Sequence, residues 1–270
     1  MKNGTELLAG AAAGAVASAV AMHEHRSRRG AERFGAAALE TLLRAIDAND
    51  HDTGRHVRRV AAYALVIAHA ADLSEHDCRT VERVALFHDI GKIHEALFDI
   101  IHDPDRLTAA DRRAIARHPE LGAEVLAPLI PFYPQVPSGV MAHHERWDGR
   151  GYPRRLAGRS IPIFARIVSI ADTFDALTHD RRYRQGRSAN DAVRVLLAGR
   201  GTQFDPELID LTLLPPVFEQ LMHAQRELAM PRPRGMERRR GAHEEQHAPD
   251  VIFRWRLGSG GRAAAATVSR

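Results

Sequence analysis

A chain of 270 residues with 44% apolar residues has room for one large domain plus flanking segments. Aromatics are only 6%, so the core is aliphatic, and the single cysteine, Cys78, excludes an internal disulfide and fits a reducing compartment. The net charge of +4 rests almost wholly on arginine, which suits bidentate capture of phosphate but also fits a plain arginine-for-lysine bias; the 16 histidines are the outlier.

Residues 1–34 form the first segment, with an Ala/Gly/Val-rich run from Leu7 to Met22 behind Lys2. A spanning helix needs ~20 apolar residues, and this run is shorter and only weakly apolar. It reads as a signal peptide with a small-residue site near Ala19-Val20-Ala21, as a membrane-surface anchor, or as an Ala-rich helix. The chemistry derived below belongs in the cytoplasm, so the expected location is cytoplasmic, with inner-membrane association through this segment as the variant.

Residues 35–225 are expected to form the main domain, helical almost throughout. Ser74 with Asp77, Thr108 with Asp111 and Ser188 with Asp191 each have the spacing of a capping box, with Asp replacing the usual Glu. Nothing resembles a strand-rich domain, so the expected class is all-α. Two loops interrupt the helices, one from Pro128 to Pro137 and one, rich in Gly, Pro and Arg, from Asp148 to Pro162. Residues 226–270 turn basic and then Ala/Gly-rich, and read as a solvated, flexible tail with no nucleic-acid polymer as its expected partner.

The chemistry starts at His88-Asp89, inside Ala85-Leu86-Phe87-His88-Asp89-Ile90-Gly91-Lys92. Val81, Val84, Ala85 and His88 fall three and four residues apart, so the spacing predicts a buried helix with His88 on its apolar face. His56 shares a stripe with Val60, Ala61 and Ala64, His118 with Ile115, Gly122 and Val125, and Asp172 with Ala165 and Val168. A lone histidine on such a face is usually a hydrogen-bonded core residue. Four such positions, two of them beside or at carboxylates, point instead to a shared metal site, because buried ionisable groups cost several kcal/mol or more unless compensated. The doublet His143-His144 adds two imidazoles whose directions diverge by about 100° on a helix. Imidazoles mixed with carboxylates suit iron, manganese, zinc or cobalt. Two such ions ~3.5–4 Å apart form the usual clamp for phosphodiester hydrolysis by water.

Taken in order, His88-Asp89-Ile90-Gly91-Lys92, His118-Pro119, the block His143-His144-Glu145-Arg146-Trp147-Asp148-Gly149-Arg150-Gly151-Tyr152-Pro153, and Ile170-Ala171-Asp172-Thr173-Phe174-Asp175-Ala176-Leu177-Thr178 with Arg181-Arg182-Tyr183-Arg184 resemble the HD-GYP family, a branch of the HD metal-dependent phosphohydrolases. The resemblance covers about Ala48 to Leu221. It implies an HD-superfamily helical bundle with the metal site in its core, and hydrolysis of cyclic di-GMP to pGpG and onward to GMP. It implies two or three divalent ions, commonly iron or manganese, held by His56, His88, Asp89, His118, His143, His144 and Asp172, with Asp89 bridging. Asp52 lies four residues before His56, where some members place a glutamate that ligates a third ion.

The same resemblance gives Lys92 a role in holding a phosphate or the attacking water, Tyr152 a contact to substrate, and Arg181 and Arg184 a clamp on phosphate oxygens. Glu145 and Asp148 are expected to support the loop. The chain departs from the family at His94-Glu95-Ala96-Leu97-Phe98, and at His102-Asp103-Pro104-Asp105, where a lysine is usual. His94 and His102 are expected at the surface. Other readings keep the site and change the substrate to another cyclic dinucleotide or phosphoester, or make the domain a non-catalytic module that binds the nucleotide or a GGDEF-type cyclase. A homodimer is the expected assembly if the chain self-associates.

Overall fold

The computed structural model describes residue 30 and residues 33–48, 50–93, 108–179 and 185–229. The run Leu7 to Met22, the basic tail after Ala229, and His94, His102, Arg181 and Arg184 lie outside the described residues. Residues 41–239 make one compact unit; of the other, 1–40 with 240–270, only residue 30 and the helical stretch 33–40 are described.

The described chain is helical, as its spacing predicts. α1 covers 33–48, α2 His51–Ala70, α3 Glu75–Phe87, α4 Ala109–Ile115, α5 His118–Leu126 and α6 Val136–Ala142. α7 covers Ile163–Thr178, α8 Ala189–Gly199, α9 Pro206–Thr212 and α10 Pro215–Ala229. Among the described residues there is no strand, only an isolated bridge between Arg200 and Phe204. No described helix is long and apolar enough to cross a membrane.

The caps explain where helices begin. The hydroxyls of Ser74, Thr108 and Ser188 each accept from the amide three residues on, at 3.2 Å. Only at Thr108 is the box reciprocal, with the Asp111 carboxylate accepting from the Thr108 amide at 2.8 Å. α2 starts at His51, where Asp50 caps it by accepting from Asp52 N at 2.9 Å.

α2 packs against α3, α7 and α10, and α3 also packs against α6 and α7. Val57, Val60, Ala64 and Ile67 of α2, Val81, Val84 and Ala85 of α3, and Ile167, Val168, Ile170 and Ala171 of α7 are fully buried. Each large aliphatic side chain in this core contributes about 1.5–3 kcal/mol. Tyr63 and Phe174 meet edge to face at 5.0 Å, which sets the register of α2 against α7.

The backbone departs from expectation at His88-Asp89. The pair is not inside a helix: α3 ends at Phe87, His88 is its C-cap, and the chain turns through Asp89 into a 3₁₀ turn at Ile90–Ile93. Gly91 makes the turn possible. A Cβ there would overlap the His118 carbonyl oxygen and come within 2.6 Å of Gly122 N. The turn therefore sits directly on α5, a close approach that only glycine permits. His143 likewise caps α6, which ends at Ala142, so the 100° divergence expected of a helical doublet does not apply there.

Candidate metal centre

Five imidazoles reach the middle of the bundle, and the local backbone decides how three of them present their nitrogens. His88 and His143 follow the last turns of α3 and α6, whose terminal carbonyls lack helical amide partners. His88 Nδ1 donates to Ala85 O at 2.8 Å and His143 Nδ1 to Val140 O at 2.6 Å. His118 Nδ1 donates to Ile115 O at 2.8 Å; the amide four residues after Ile115 would belong to Pro119, which has none. A carbonyl only accepts, so Nδ1 carries the hydrogen in all three rings, and Nε2 points inward. His56 Nδ1 lies 2.7 Å from Asp175 Oδ2, so its Nε2 also faces the centre.

These nitrogens gather around Asp89, which is 7% exposed. Asp89 Oδ2 is 3.4 Å from His88 Nε2 and 3.8 Å from His56 Nε2; Oδ1 is 3.3 Å from His118 Nε2 and 4.0 Å from His143 Nε2. Asp172 Oδ1 completes one side at 3.4 Å from His56 and 3.9 Å from His88. Two groups result, His56 with His88 and Asp172, and Asp89 with His118, His143 and His144, each with its ligand atoms within 4.8 Å of one another. Asp89 turns one oxygen to each, the geometry of a bridge.

The residues fit divalent cations on three observations. His88 Nε2 and Asp89 Oδ1 are buried without a hydrogen-bond partner, a costly state for polar atoms. His118 Nε2 and His143 Nε2 stand 3.1 Å apart. Burial, together with the neighbouring His144, His88 and His118, holds His143 well below the ordinary histidine range, so its Nε2 presents a lone pair. The donor set of imidazole and carboxylate is that of a transition-metal site.

Charge differs across the centre. Burial opposes protonation of His88, but Asp89 outweighs it and holds the imidazole up at about 9. Burial would raise the Asp89 carboxyl, but Lys92 and His88 outweigh it and hold it well below the usual carboxylate range. Lys92 Nζ donates to Asp89 Oδ2 at 2.6 Å. Burial, then the neighbouring His118, pulls His144 down to about 4.

Beside the centre lies the Gly/Pro/Arg-rich loop. Glu145 is buried and accepts from the amides of Arg154 at 2.6 Å and Leu156 at 3.0 Å, so it folds the loop and does not ligate. Asp148 accepts from Arg146 Nη2 at 2.8 Å and Arg150 N at 3.0 Å, also in support. The loop is pinned to the α8–α9 connection through Trp147 N to Gln203 O, 3.1 Å, and Asp148 N to Thr202 O, 2.8 Å. Tyr152 stacks on His144 at 4.9 Å and borders an open depression of about 480 Å³ lined by Gly149, Arg150, Gly151, Pro153 and Arg155.

Asp52 joins neither group. It is 59% exposed and paired with Arg55. Asp175 and Arg59 were not anticipated as functional: Asp175 is 2% exposed and takes both Arg59 Nε at 2.6 Å and His56. The available signal was an echo at i, i+3, His56 with Arg59 on α2 and Asp172 with Asp175 on α7.

The family model for the HD domain matches residues 40–208. The chain belongs to the HD-domain family. Within it the motif order is that of the HD-GYP branch. This HD domain is 39% identical over 174 residues to "3'3'-cGAMP-specific phosphodiesterase 2" of Vibrio cholerae, covering 64% of this chain and 33% of that protein. It is 39% identical over 177 residues to "Cyclic di-GMP phosphodiesterase response regulator RpfG" of Xanthomonas campestris, covering 65% and 46%. The chain thus spans from a third to a half of these curated relatives. Among solved structures, the HD domain of the L. monocytogenes phosphodiesterase PgpH in complex with cyclic-di-AMP matches with a TM-score of 0.50 and 19% identity, over 71% of this chain and 98% of that one, a likeness of fold.

Proposed function

We propose that this HD domain is a metal-dependent phosphodiesterase that opens a cyclic dinucleotide, with cyclic di-GMP as substrate, pGpG as first product and GMP as the second. The observation that supports it is Asp89, buried between two groups of inward-facing imidazole nitrogens with one oxygen toward each. His56, His88 and Asp172 would hold one ion and His118, His143 and His144 the other, iron or manganese by ligand chemistry. Bound ions supply an activated water near neutral pH and neutralise phosphate charge.

The chain's own residues do the rest. Lys92 carries a positive charge at the Asp89 edge, where a phosphate oxygen or the attacking water is held. Tyr152 offers an apolar face beside the centre, and burial, then Asp89 and Asp172, pushes its phenol up to about 12, so it stays a hydrogen-bond donor at neutral pH. Arg181 and Arg184 are proposed as the phosphate clamp. Residues 35–225 carry this activity between the segments 1–34 and 226–270, in the cytoplasm, with a GGDEF-type cyclase and a second copy of the chain as proposed partners.

A second reading has one observation behind it: relatives named for 3'3'-cGAMP and for cyclic di-GMP are equally similar, at 39%. One experiment separates them. The full chain is loaded anaerobically with Fe²⁺ or Mn²⁺ and incubated with cyclic di-GMP, 3'3'-cGAMP and cyclic di-AMP, and products are resolved by chromatography. The expected result is linear pGpG from cyclic di-GMP. Preferential cleavage of the mixed dinucleotide supports the second reading. No turnover with iron, manganese, zinc or cobalt overturns both.

A further inference from the structure

Of the four imidazoles whose Nδ1 is anchored, three lean on main-chain carbonyls and one on a side chain. His88, His118 and His143 are oriented by the carbonyl three residues earlier, at 2.6–2.8 Å. His56 is oriented by Asp175 Oδ2 at 2.7 Å. We propose that Asp175 is a positioning residue that locks His56 in its metal-ligating tautomer and so sets the affinity of the His56/His88/Asp172 group independently of the other group. The inference rests on the metal-centre reading above and deepens it.

The contacts of Asp175 leave one tautomer open. Oδ1 accepts from Arg59 Nε at 2.6 Å and faces His179 Nδ1 at 3.1 Å; Oδ2 accepts from Arg59 Nη2 at 3.0 Å and faces His56 Nδ1. Guanidinium nitrogens only donate, so both oxygens stay acceptors beside Arg59. The two parallel bonds from Arg59, one to each oxygen, are those of a guanidinium on a carboxylate. The hydrogen on the His56 ring therefore sits at Nδ1. The Nε2 lone pair then faces Asp172 Oδ1 at 3.4 Å and Asp89 Oδ2 at 3.8 Å, where a cation is shared. An anionic orienter also raises the basicity of the imidazole it holds, and losing such a partner costs about 10–100-fold in metal affinity.

The arrangement comes from two helices docking in one register. His56 and Arg59 are three residues apart on α2, and Asp172 and Asp175 are three apart on α7. One helix supplies ligand and counter-cation; the other supplies ligand and orienter. Main-chain orienters cannot be removed by substitution, so Asp175 is the point at which one group can be weakened and the other left intact.

The test is Asp175→Asn in the full chain. Its amide is nearly isosteric, but its NH₂ meets an Arg59 donor in either orientation, and when it faces His56 it shifts the ring hydrogen to Nε2. Metal-free wild type and variant are titrated with Mn²⁺ against a chelator. Wild type should bind two ions per chain. The variant should keep one at wild-type affinity and bind the second about 10–100-fold more weakly, with Asp175→Glu restoring part of the loss. Two ions at wild-type affinity in Asp175→Asn overturn the inference and leave the metal centre standing. No ion in the wild type overturns the metal centre itself, and the inference with it. If Asp175→Asn does not fold, long-range ¹H–¹⁵N spectra of the histidine rings in Zn²⁺-loaded wild type decide the matter: hydrogen on Nδ1 of His56 supports the lock, and hydrogen on Nε2 overturns it.

Discussion

The two halves of the centre are built differently although each supplies imidazole and carboxylate. The group of Asp89, His118, His143 and His144 lies at helix ends, where the backbone orients His118 and His143, and its neutral imidazole His143 is fully buried. The group of His56, His88 and Asp172 lies mostly along helix faces; one ring is held by a carboxylate, and Asp172 is 24% exposed. A site oriented by backbone depends on where helices stop. A site oriented by side chains depends on how helices dock. The two should therefore fail under different perturbations.

Asp89→Ala should produce the largest effect, because it removes the one residue common to both halves. Calorimetric titration with Mn²⁺ is expected to show both ions weakened by more than the ~10–100-fold of an outer partner, with cyclic dinucleotide turnover lost. Retention of either ion at wild-type affinity would break the picture of a bridge.

Gly91→Ala comes next and should separate the halves. Its Cβ collides with the His118 carbonyl, so the turn must lift off α5. Overpacking of this kind costs about 1–3 kcal/mol, measurable by urea denaturation. The ion at the His118 group should weaken more than the one at the His56 group, which shares only Asp89 with the displaced turn and α5; equal loss of both would show that α5 is not an independent support.

The halves should also differ in their response to pH. His88 stays protonated up to about 9, so below that pH an ion entering its group must displace a proton. Burial already holds His143 and His144 in the neutral, ligating form. Between pH 6.5 and 8.5, affinity at the His56 group should rise about tenfold per pH unit, the response to one displaced proton. The His118 group should vary less. Parallel slopes in chelator competition would refute the contrast.

Tyr152→Ala should have the smallest effect. It removes the ring stacked on His144 at 4.9 Å. Aromatic stacking of this kind is worth about 0.5–1.5 kcal/mol, so the ion at the His118 group should weaken about 2–10-fold. An unchanged affinity together with a raised KM would place Tyr152 on the substrate alone.

Residue chemistry and order were legible in the linear chain. Ionisable residues on otherwise apolar stripes marked His56, His88, His118 and Asp172, since a buried charge needs compensation wherever the fold puts it. Helix starts at Ser74, Thr108 and Ser188 were legible because a cap is a local hydrogen bond. Helix ends at Phe87 and Ala142 were not: the apolar period continues through His88 and His143, and the turn that follows α3 packs through Gly91 against α5, far away in sequence. Asp175 was hidden for the same reason, because its partners His56 and Arg59 lie 119 and 116 residues away.

The sequence alone determined an aliphatic, all-helical chain carrying a set of metal-ligating side chains, because periodicity, capping and side-chain chemistry are local. Only the tertiary structure decided that Asp89 faces two groups, that backbone carbonyls fix three of the rings, and that a buried carboxylate fixes the fourth. Those relations depend on distances between helices, and distances are set by packing across the core.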